Sequence, residues 1–291
     1  MLAKGEKIGI IAGSGAFPIA FAQAARQNGH HVTAMAIEGF ASPELADHVD
    51  EIYWLGPGQL DTLIALCRRN SICHLTMTGK IEHLTLFNLG KVEPRVTQVL
   101  TRLADRRAES LARALIAELE SENIRVLDSS LFLKSLVPGE GLLTRNRPVR
   151  PREERDIEFG WPLAREIARL DIGQTVVVKE GVVIAVEAAE GTDAAIRRGG
   201  QLAGRGAVVV KVSRPRQDFR FDLPVVGFHT IRTMVEAGCS ALAICAGQTV
   251  FLDQDQAVGL AEQSDIAVVA RLSGDQVEPP VEATLPTQGE R

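Results

Sequence analysis

The stretch GIIAGSGAFPIAFAQAARQNG, residues 9–29, decides the fold class. It begins as a buried apolar strand, turns tightly at the glycines of residues 13–15 and continues as a helical pattern that ends near Gly29. Glycine suits the position that follows a helix, because it adopts the left-handed conformation found there. A strand, a glycine turn and a helix in this order predict the first unit of a parallel sheet covered by helices.

The same alternation continues through the first 134 residues. Short apolar runs are separated by segments long enough for helical crossovers, and the clearest helical pattern covers Arg107–Glu120. We therefore predict an α/β fold with a Rossmann-like parallel-sheet domain over residues 1–134. The predicted strands are Ile8–Ala12, Val32–Ile37, Glu51–Leu55, His74–Thr78 and Ile124–Leu127.

The second half of the chain has a different pattern. Residues 135–154 are rich in Pro, Gly and Arg with little periodicity, which predicts a linker. β-rich runs then alternate with helical patterns, and Glu180-Gly181 is typical of a two-residue hairpin turn. Residues 155–274 are thus predicted to form a C-terminal mixed α/β catalytic domain. The polar, Pro-rich residues 275–291 are predicted to be disordered.

Composition excludes several classes of function. With 37 acidic and 32 basic residues the net charge is −5, so a general nucleic-acid-binding surface is not indicated. Aromatic residues make up only 4% of the chain, which argues against a stacking platform for single strands. The four cysteines show no CxxC spacing, which suits a reduced cytoplasm. No apolar stretch approaches the roughly 18–20 residues of a membrane span, so we expect neither export nor insertion.

The turn at Gly13, Ser14 and Gly15 suits an anion, because glycines allow close approach and a helix start favours negative charge. Glu38 lies where a dinucleotide fold places its ribose-binding acid. An NAD(P)-dependent oxidoreductase is therefore one alternative. Pro18 stands where the third glycine of G-x-G-x-x-G is needed, which weakens that alternative, and a purely structural turn also fits.

A second loop, MTGKIEH at residues 77–83, follows the predicted fourth strand at the carboxyl edge of the sheet. Gly79 and Lys80 suit a phosphate there, although a solvated loop lysine explains Lys80 equally well. His83 fits a helix start better than a ligand position.

Three stretches of the second half are rich in polar residues in apolar surroundings: residues 170–174, 187–198 and 211–227. In the second stretch Glu187, Glu190 and Asp193 lie within seven residues of one another, and capping of a helix is the stronger interpretation of Thr192 taken alone. Asp253 and Asp255 also fit a helix N-cap better than a metal-binding pair.

The third stretch interleaves cations with carboxylates. Lys211, Arg214, Arg216 and Arg220 alternate with Asp218 and Asp222. Such a segment suits a diphosphate with a divalent cation, and an exposed loop of surface ion pairs fits equally well. Asp222 is the sharper candidate, because it lies in the apolar frame FDLPVV, where an unpartnered charge is costly.

With these residues in place, the chain resembles the UDP-2,3-diacylglucosamine pyrophosphatase family of lipid A synthesis, the type unrelated to calcineurin-like metallophosphoesterases. The match lies in IGIIAGSGAFP (8–18), LDIGQTVVVKEGVVIAVEAAEGTDAAIRR (170–198) and KVSRPRQDFRFDLPVVGFHTIRTMVEAG (211–238), with TGKI (78–81) a looser fit.

The resemblance implies a Mg²⁺-dependent hydrolase that cleaves its lipid-linked UDP-sugar to UMP and 2,3-diacylglucosamine 1-phosphate. It also implies a homodimer that works in the cytoplasm in peripheral contact with the inner membrane, with attack at the sugar-side phosphorus. The family's acidic catalytic residue corresponds to Asp222, which is expected to bind Mg²⁺ or orient water, with Lys211 stabilising phosphate charge. Substrate contacts correspond to Gly13, Ser14, Gly15, Gly79, Lys80, Gln174, Thr192, Asp193 and Lys211. A non-catalytic nucleotide-sugar sensor is the alternative from another class.

Overall fold

The computed structural model describes residues 2–80, 92–105, 107–215 and 217–273. The predicted disordered tail, His83 and Arg216 lie outside the described residues. Within them the chain forms two large sheets, one in each half, and both are covered by helices. This arrangement confirms the predicted α/β class.

The first sheet is fully parallel, with the strand order β3-β2-β1-β4-β5. Its apolar strands pack against one helix on one face and against three on the other. The Rossmann-like prediction is confirmed. The strands are β1 (Lys7–Ala12), β2 (His31–Ile37), β3 (Glu51–Leu55), β4 (His74–Thr78) and β5 (Arg125–Val126). The helices are α1 (Phe17–Gln27), α2 (Leu60–Arg69), α3 (Pro94–Arg102) and α4 (Ala108–Ser121).

The second half forms a mixed six-stranded sheet and a small parallel pair. Its strands are β6 (Gly141–Leu142), β7 (Thr175–Lys179), β8 (Val182–Val186), β9 (Val208–Lys211), β10 (Val225–Val226), β11 (Ala241–Cys245), β12 (Val250–Phe251) and β13 (Ala267–Arg271). The large sheet has the order β6-β13-β11-β9-β7-β8, in which β9, β11 and β13 are parallel, and β10 pairs with β12.

Helices cover both faces of the mixed sheet as well. They are α5 (Pro151–Arg169) on one face and α6 (Thr192–Ala203), α7 (Phe228–Ala237) and α8 (Gln254–Gln263) on the other. The predicted hairpin turn joins β7 to β8, with positive φ at both Glu180 and Gly181. The predicted mixed α/β architecture of this half is therefore confirmed.

The small β10–β12 pair joins the two halves. Val250 and Leu252 are buried in the apolar cluster beside β1, whereas Phe251 is buried in the cluster beneath the second sheet. This division follows from strand geometry, since successive side chains point to opposite faces. Burial of side chains on both faces of the chain at β12 therefore sets the position of the second half relative to the first.

Residues 135–154, predicted as the linker, include β6 and the first turn of α5. Leu142 pairs with Val269 of β13, and Arg147 forms a buried ion pair with Glu153 at 2.6 Å. Part of this segment therefore packs as a component of the second sheet and its covering helix. Among the described residues, no helix is long and apolar enough to cross a membrane.

Candidate active site

Two loops meet at the carboxyl edge of the first sheet. β1 lies between β2 and β4, so the loops after β1 and β4 flank the point where the strand order reverses, which is the usual ligand position in open α/β sheets. The Ser14 amide donates to the Lys80 carbonyl at 2.8 Å, and the Lys80 amide donates back at 3.1 Å. We call this pairing of residues 13–15 with residues 79–80 the loop contact.

Close backbone approach explains the glycines of the loop contact. A Cβ atom on Gly13 would lie 2.5 Å from the Lys80 carbonyl oxygen, and one on Gly79 would lie 2.6 Å from that of Ser14. Gly79 also has φ +78°, in the left-handed region that favours glycine. These glycines are thus required by the protein's own packing, with no dinucleotide needed to account for them.

A buried lysine lies at the carboxyl end of β9. Lys211 is only 2% exposed, and its Nζ donates to Thr192 Oγ1 at 2.9 Å. The Thr192 hydroxyl donates in turn to Glu187 Oε1 at 2.8 Å. Burial lowers the pKa of Lys211 to about 8, and the charge of Lys80 acts in the same direction, while Glu187 and other carboxylates oppose it. The ammonium group therefore remains protonated at neutral pH and close to Lys80 of the loop contact.

Asp222 and Asp171 both form an ion pair with the same arginine, Arg214. Arg214 Nη1 is 3.3 Å from Asp222 Oδ2 and 2.7 Å from Asp171 Oδ1. Burial raises the pKa of Asp222 above the usual range of aspartate, and the charges of Arg214 and Lys211 oppose that rise. Asp222 is thus more basic than an exposed aspartate, and the two nearby cations favour its ionised form. We call Lys211, Arg214, Asp222, Asp171, Glu187 and Thr192 the polar cluster.

Several polar atoms around the polar cluster are buried without a hydrogen-bond partner. They belong to side chains that precede β7 or follow β9, on the side of the sheet edge where Lys211 lies. The atoms are Gln174 Oε1, Ser213 Oγ, Arg214 Nε and Gln217 Nε2. Such atoms are rare in folded proteins, because each costs free energy unless water or a ligand pairs with it. Among the described residues, the polar cluster therefore offers hydrogen-bonding atoms that water or a polar ligand can pair with.

The structure brings the ten predicted site residues into one region. Contacts within the loop contact join Gly13, Ser14, Gly15, Gly79 and Lys80, and Gln174 lies beside β9 because its carbonyl accepts from Val212 at 2.9 Å. Asp193, whose carboxylate is 3.4 Å from His229 Nε2, acts electrostatically on Lys211, as do Lys80 and Asp222. Their roles stay predictions.

Sequence reasoning missed Asp171, Ser213 and Gln217. Asp171 lies in the polar stretch LDIGQ, and its φ of +58° turns the chain so that its carboxylate meets Arg214. The sequence feature that could have identified Asp171 is its position between two apolar residues, Leu170 and Ile172. Nothing in the sequence marks Ser213 and Gln217 as site residues except that they lie close to Arg214.

One prediction about this region was wrong. Thr192 does not cap its helix, because Gly191 occupies the N-cap position with φ +80° and no side chain caps the helix. The hydroxyl of Thr192 is instead shared by Lys211 and Glu187. Asp253 does occupy the N-cap position of α8, although its side chain makes no capping hydrogen bond.

Two other charged residues of the third stretch, Asp218 and Arg220, are paired with each other. Asp218 forms a two-point ion pair with Arg220 and lies 3.4 Å from Arg113 of α4. Arg220 also reaches Glu120 at 3.3 Å. These pairs tie the loop that carries Asp222 to the first half of the molecule, which is a structural role.

The carboxylates present decide whether this site can hold a metal ion. Among the residues described, no three His, Cys, Asp or Glu side chains are grouped so as to hold a metal ion. Mg²⁺ commonly binds through one or two carboxylates, with water and substrate phosphates completing the octahedron. Asp222 and Asp171, which share one arginine nitrogen, fit that mode of binding.

Comparison with known proteins gives a consistent match over both halves. The models of the LpxI N-terminal domain and the LpxI C-terminal domain match residues 7–136 and 139–269. A curated relative, UDP-2,3-diacylglucosamine pyrophosphatase LpxI of Caulobacter vibrioides, is 30% identical over 275 residues, which cover 91% of this chain and 97% of the relative.

Solved structures give only remote likenesses. The ADP complex of N5-carboxyaminoimidazole ribonucleotide synthetase is 15% identical with a TM-score of 0.29, and the match covers 61% of this chain and 33% of that one. Phosphoribosylglycinamide synthetase from Anaerococcus prevotii is 13% identical with a TM-score of 0.26, over 60% of this chain and 32% of that one. Scores this low carry no conclusion about fold or function.

Proposed function

This chain belongs to the LpxI family, and we propose that it hydrolyses UDP-2,3-diacylglucosamine to UMP and 2,3-diacylglucosamine 1-phosphate, a step of lipid A biosynthesis. The observation that carries the proposal is the polar cluster, in which Arg214 pairs with Asp222 and Lys211 acts electrostatically on the same carboxylate. Several buried polar atoms beside them have no hydrogen-bond partner among the described residues. A diphosphate supplies both the negative charge and the acceptor oxygens that these donors lack.

In the proposed reaction the diphosphate lies between the loop contact and the polar cluster. Lys80 from the first half and Lys211 from the second bind its oxygens, and Arg214 Nε donates to one of them. Lys211 and Arg214 are held in place before the substrate arrives, by Thr192 and by Asp171 and Asp222. They therefore stabilise the charge that builds up in the transition state without reorganisation.

Asp222 is the proposed base. It takes a proton from the attacking water, whose oxygen forms a bond to the sugar-side phosphorus. The bond from that phosphorus to the bridging oxygen breaks, and its electron pair stays on that oxygen, which becomes part of UMP. The burial that raises the pKa of Asp222 suits this task, because a base is most effective when its pKa approaches the working pH.

Mg²⁺ is the proposed cofactor, and Asp171 would hold it together with one carboxylate oxygen of Asp222, which would leave the second oxygen of Asp222 to accept the proton. When bound, it neutralises charge on the phosphate oxygens. Arg214 keeps the two carboxylates close to each other, so the same side chain that binds phosphate also positions them.

We also propose peripheral contact with the inner membrane, where a diacylated substrate resides. Leu170 and Ile172, the neighbours of Asp171, are 57% and 48% exposed, so apolar side chains surround one edge of the polar cluster. A homodimer stays a prediction from the family resemblance.

Release of UMP from UDP-2,3-diacylglucosamine by the purified protein, with and without Mg²⁺, tests the proposal. Asp222→Ala should retain substrate binding but lower the rate by about 10²–10⁴-fold, as expected for loss of a general base. Glu166→Ala is the control, since this exposed carboxylate of α5 pairs with Arg169 at the end of the same helix, and its activity should stay near that of the wild type. Near-normal turnover by Asp222→Ala would contradict its role.

A further inference from the structure

A cavity of about 90 Å³ lies in the first half of the molecule, between the parallel sheet and helices α2, α3 and α4. A single water molecule requires only roughly 10–15 Å³, so this space is too large to be an ordinary packing defect. Leu63, Val96, Leu111 and Leu115 contribute side chains to its wall, each from one of those helices.

The cavity is suited to an apolar occupant. Among the residues that the structure describes, its wall contains one polar side chain, Gln59. The amide oxygen of that side chain already accepts a hydrogen bond from the Gly56 amide at 2.6 Å. Water is held in a cavity by two or more polar partners, which this wall does not offer among its side chains. A hydrocarbon chain requires no such partners.

The cavity also lies next to the proposed active site. Ile11 and Met77 of its wall each stand two residues before a glycine of the loop contact, Gly13 and Gly79. Both therefore lie at the carboxyl edge of the first sheet, where the two loops begin.

A second connection runs through α4 and the loop of Asp222. Leu111 in the first turn of α4 lines the cavity, and Arg107 just before that helix is 3.9 Å from Asp171. Phe221, the residue before Asp222, packs against the apolar cluster that surrounds the cavity, and the guanidinium carbon of Arg113 is 5.8 Å from its ring centre.

We propose that this cavity binds one acyl chain of the substrate, with Phe221 at the boundary between the hydrocarbon and the diphosphate. The inference rests on the proposed function, which supplies a substrate with two acyl chains. The polar cluster holds the diphosphate while the neighbouring apolar space removes a chain from water. Each methylene group buried there strengthens binding by roughly fourfold.

Narrowing the cavity tests the inference through a series of UDP-2,3-diacylglucosamines that differ only in acyl-chain length. Leu115→Trp places a larger side chain in the cavity, so kcat/KM for the longest substrate should fall by about tenfold or more, as expected if two methylene groups are displaced. The value for the shortest substrate should change little, which shifts the preferred length downward.

Leu66→Trp is the matched control. Leu66 is a half-buried leucine that packs against the same cluster but does not line the cavity, so its variant should keep the wild-type length preference. If Leu115→Trp and Leu66→Trp both keep that preference while the wild type releases UMP, the inference is overturned and the proposed function stands.

A photoreactive substrate separates the two proposals further. With a diazirine at the end of an acyl chain, cross-links should map by mass spectrometry to the segments of Leu63, Leu111 and Leu115. Such labelling supports the acyl site even if no UMP is released, an outcome that would reject only the proposed reaction. Labelling confined to other segments would show that the protein itself fills the cavity, or that the chain binds elsewhere, and would overturn the inference.

Discussion

The loop contact and the polar cluster differ in whether their polar groups find hydrogen-bond partners within the protein. In the loop contact, the amides and carbonyls of Ser14 and Lys80 pair with each other, so the protein satisfies them itself. In the polar cluster, Arg214 Nε and nearby buried atoms have no partner, and each such atom costs about 1–3 kcal/mol. The first region therefore fixes the geometry of two loops, whereas the second leaves buried atoms that water or a ligand can pair with.

Among the variants that compare these two regions, the largest effect is expected from removing the buried cation of the polar cluster. Lys211→Met should lower kcat for UMP release by about 10²–10³-fold, the loss that follows removal of one preorganised charge-stabilising donor. Thr192 and Glu187 keep their mutual hydrogen bond, so the fold should persist.

Lys179→Met is the control for this change. Lys179 lies in β7 of the same sheet, and its Nζ donates to the Ala203 carbonyl at 2.7 Å. It should retain activity within about twofold, as is usual for a substitution outside the site. Comparable losses in both variants would mean that the sheet tolerates no such substitution and that Lys211 has no special role.

Substitutions in the loop contact should lower the free energy of unfolding before they affect the rate of the proposed reaction. Gly79→Ala forces a Cβ atom within 2.6 Å of the Ser14 carbonyl oxygen and strains φ, so the free energy of unfolding should fall by about 3 kcal/mol or more. Gly15→Ala is the matched variant, because Gly15 also has positive φ but no atom lies within 4 Å of its added Cβ.

Denaturant unfolding of both variants measures the difference. Gly15→Ala carries only the conformational strain, about 1–2 kcal/mol. The excess loss in Gly79→Ala therefore reports the close approach of the two loops. Equal losses would show that the loops separate easily, which would remove the distinction between a rigid loop contact and an adaptable polar cluster.

The first sheet could be predicted from local pattern. Parallel strands buried on both faces are continuous apolar runs, so the predicted Ile8–Ala12 differs by one residue from the observed Lys7–Ala12. The loop contact could not be predicted, because Ser14 and Lys80 are 66 residues apart and nothing local records their meeting. The same glycine turn is compatible with a bound dinucleotide and with another loop.

The polar cluster was predictable in composition but not in pairing. The apolar frame of Asp222 indicated a partnered carboxylate, and Arg214 is that partner. Asp171 could not be assigned, since its contact with Arg214 depends on a left-handed backbone conformation that L-residues seldom adopt. Thr192 was misread because its residue type favours helix caps, whereas long-range packing brings Lys211 to its hydroxyl.

The smallest effect, and the one most specific to the polar cluster, is the dependence of kcat/KM on pH. Lys211 has a pKa lowered by burial to about 8, so it is charged below that pH and loses its proton above it. Activity that depends on this charge should fall by about tenfold for each pH unit above about 8. On the acid side, burial raises the pKa of Asp222, so activity should decline at a higher pH than ordinary aspartate titration gives.

Lys211→Arg should remove the alkaline decline and leave the acid one, because arginine stays charged in proteins. A variant with the wild-type alkaline decline would assign that proton to another group. Because the backbone hydrogen bonds of the loop contact do not titrate, an alkaline decline that Lys211→Arg removes reports the polar cluster.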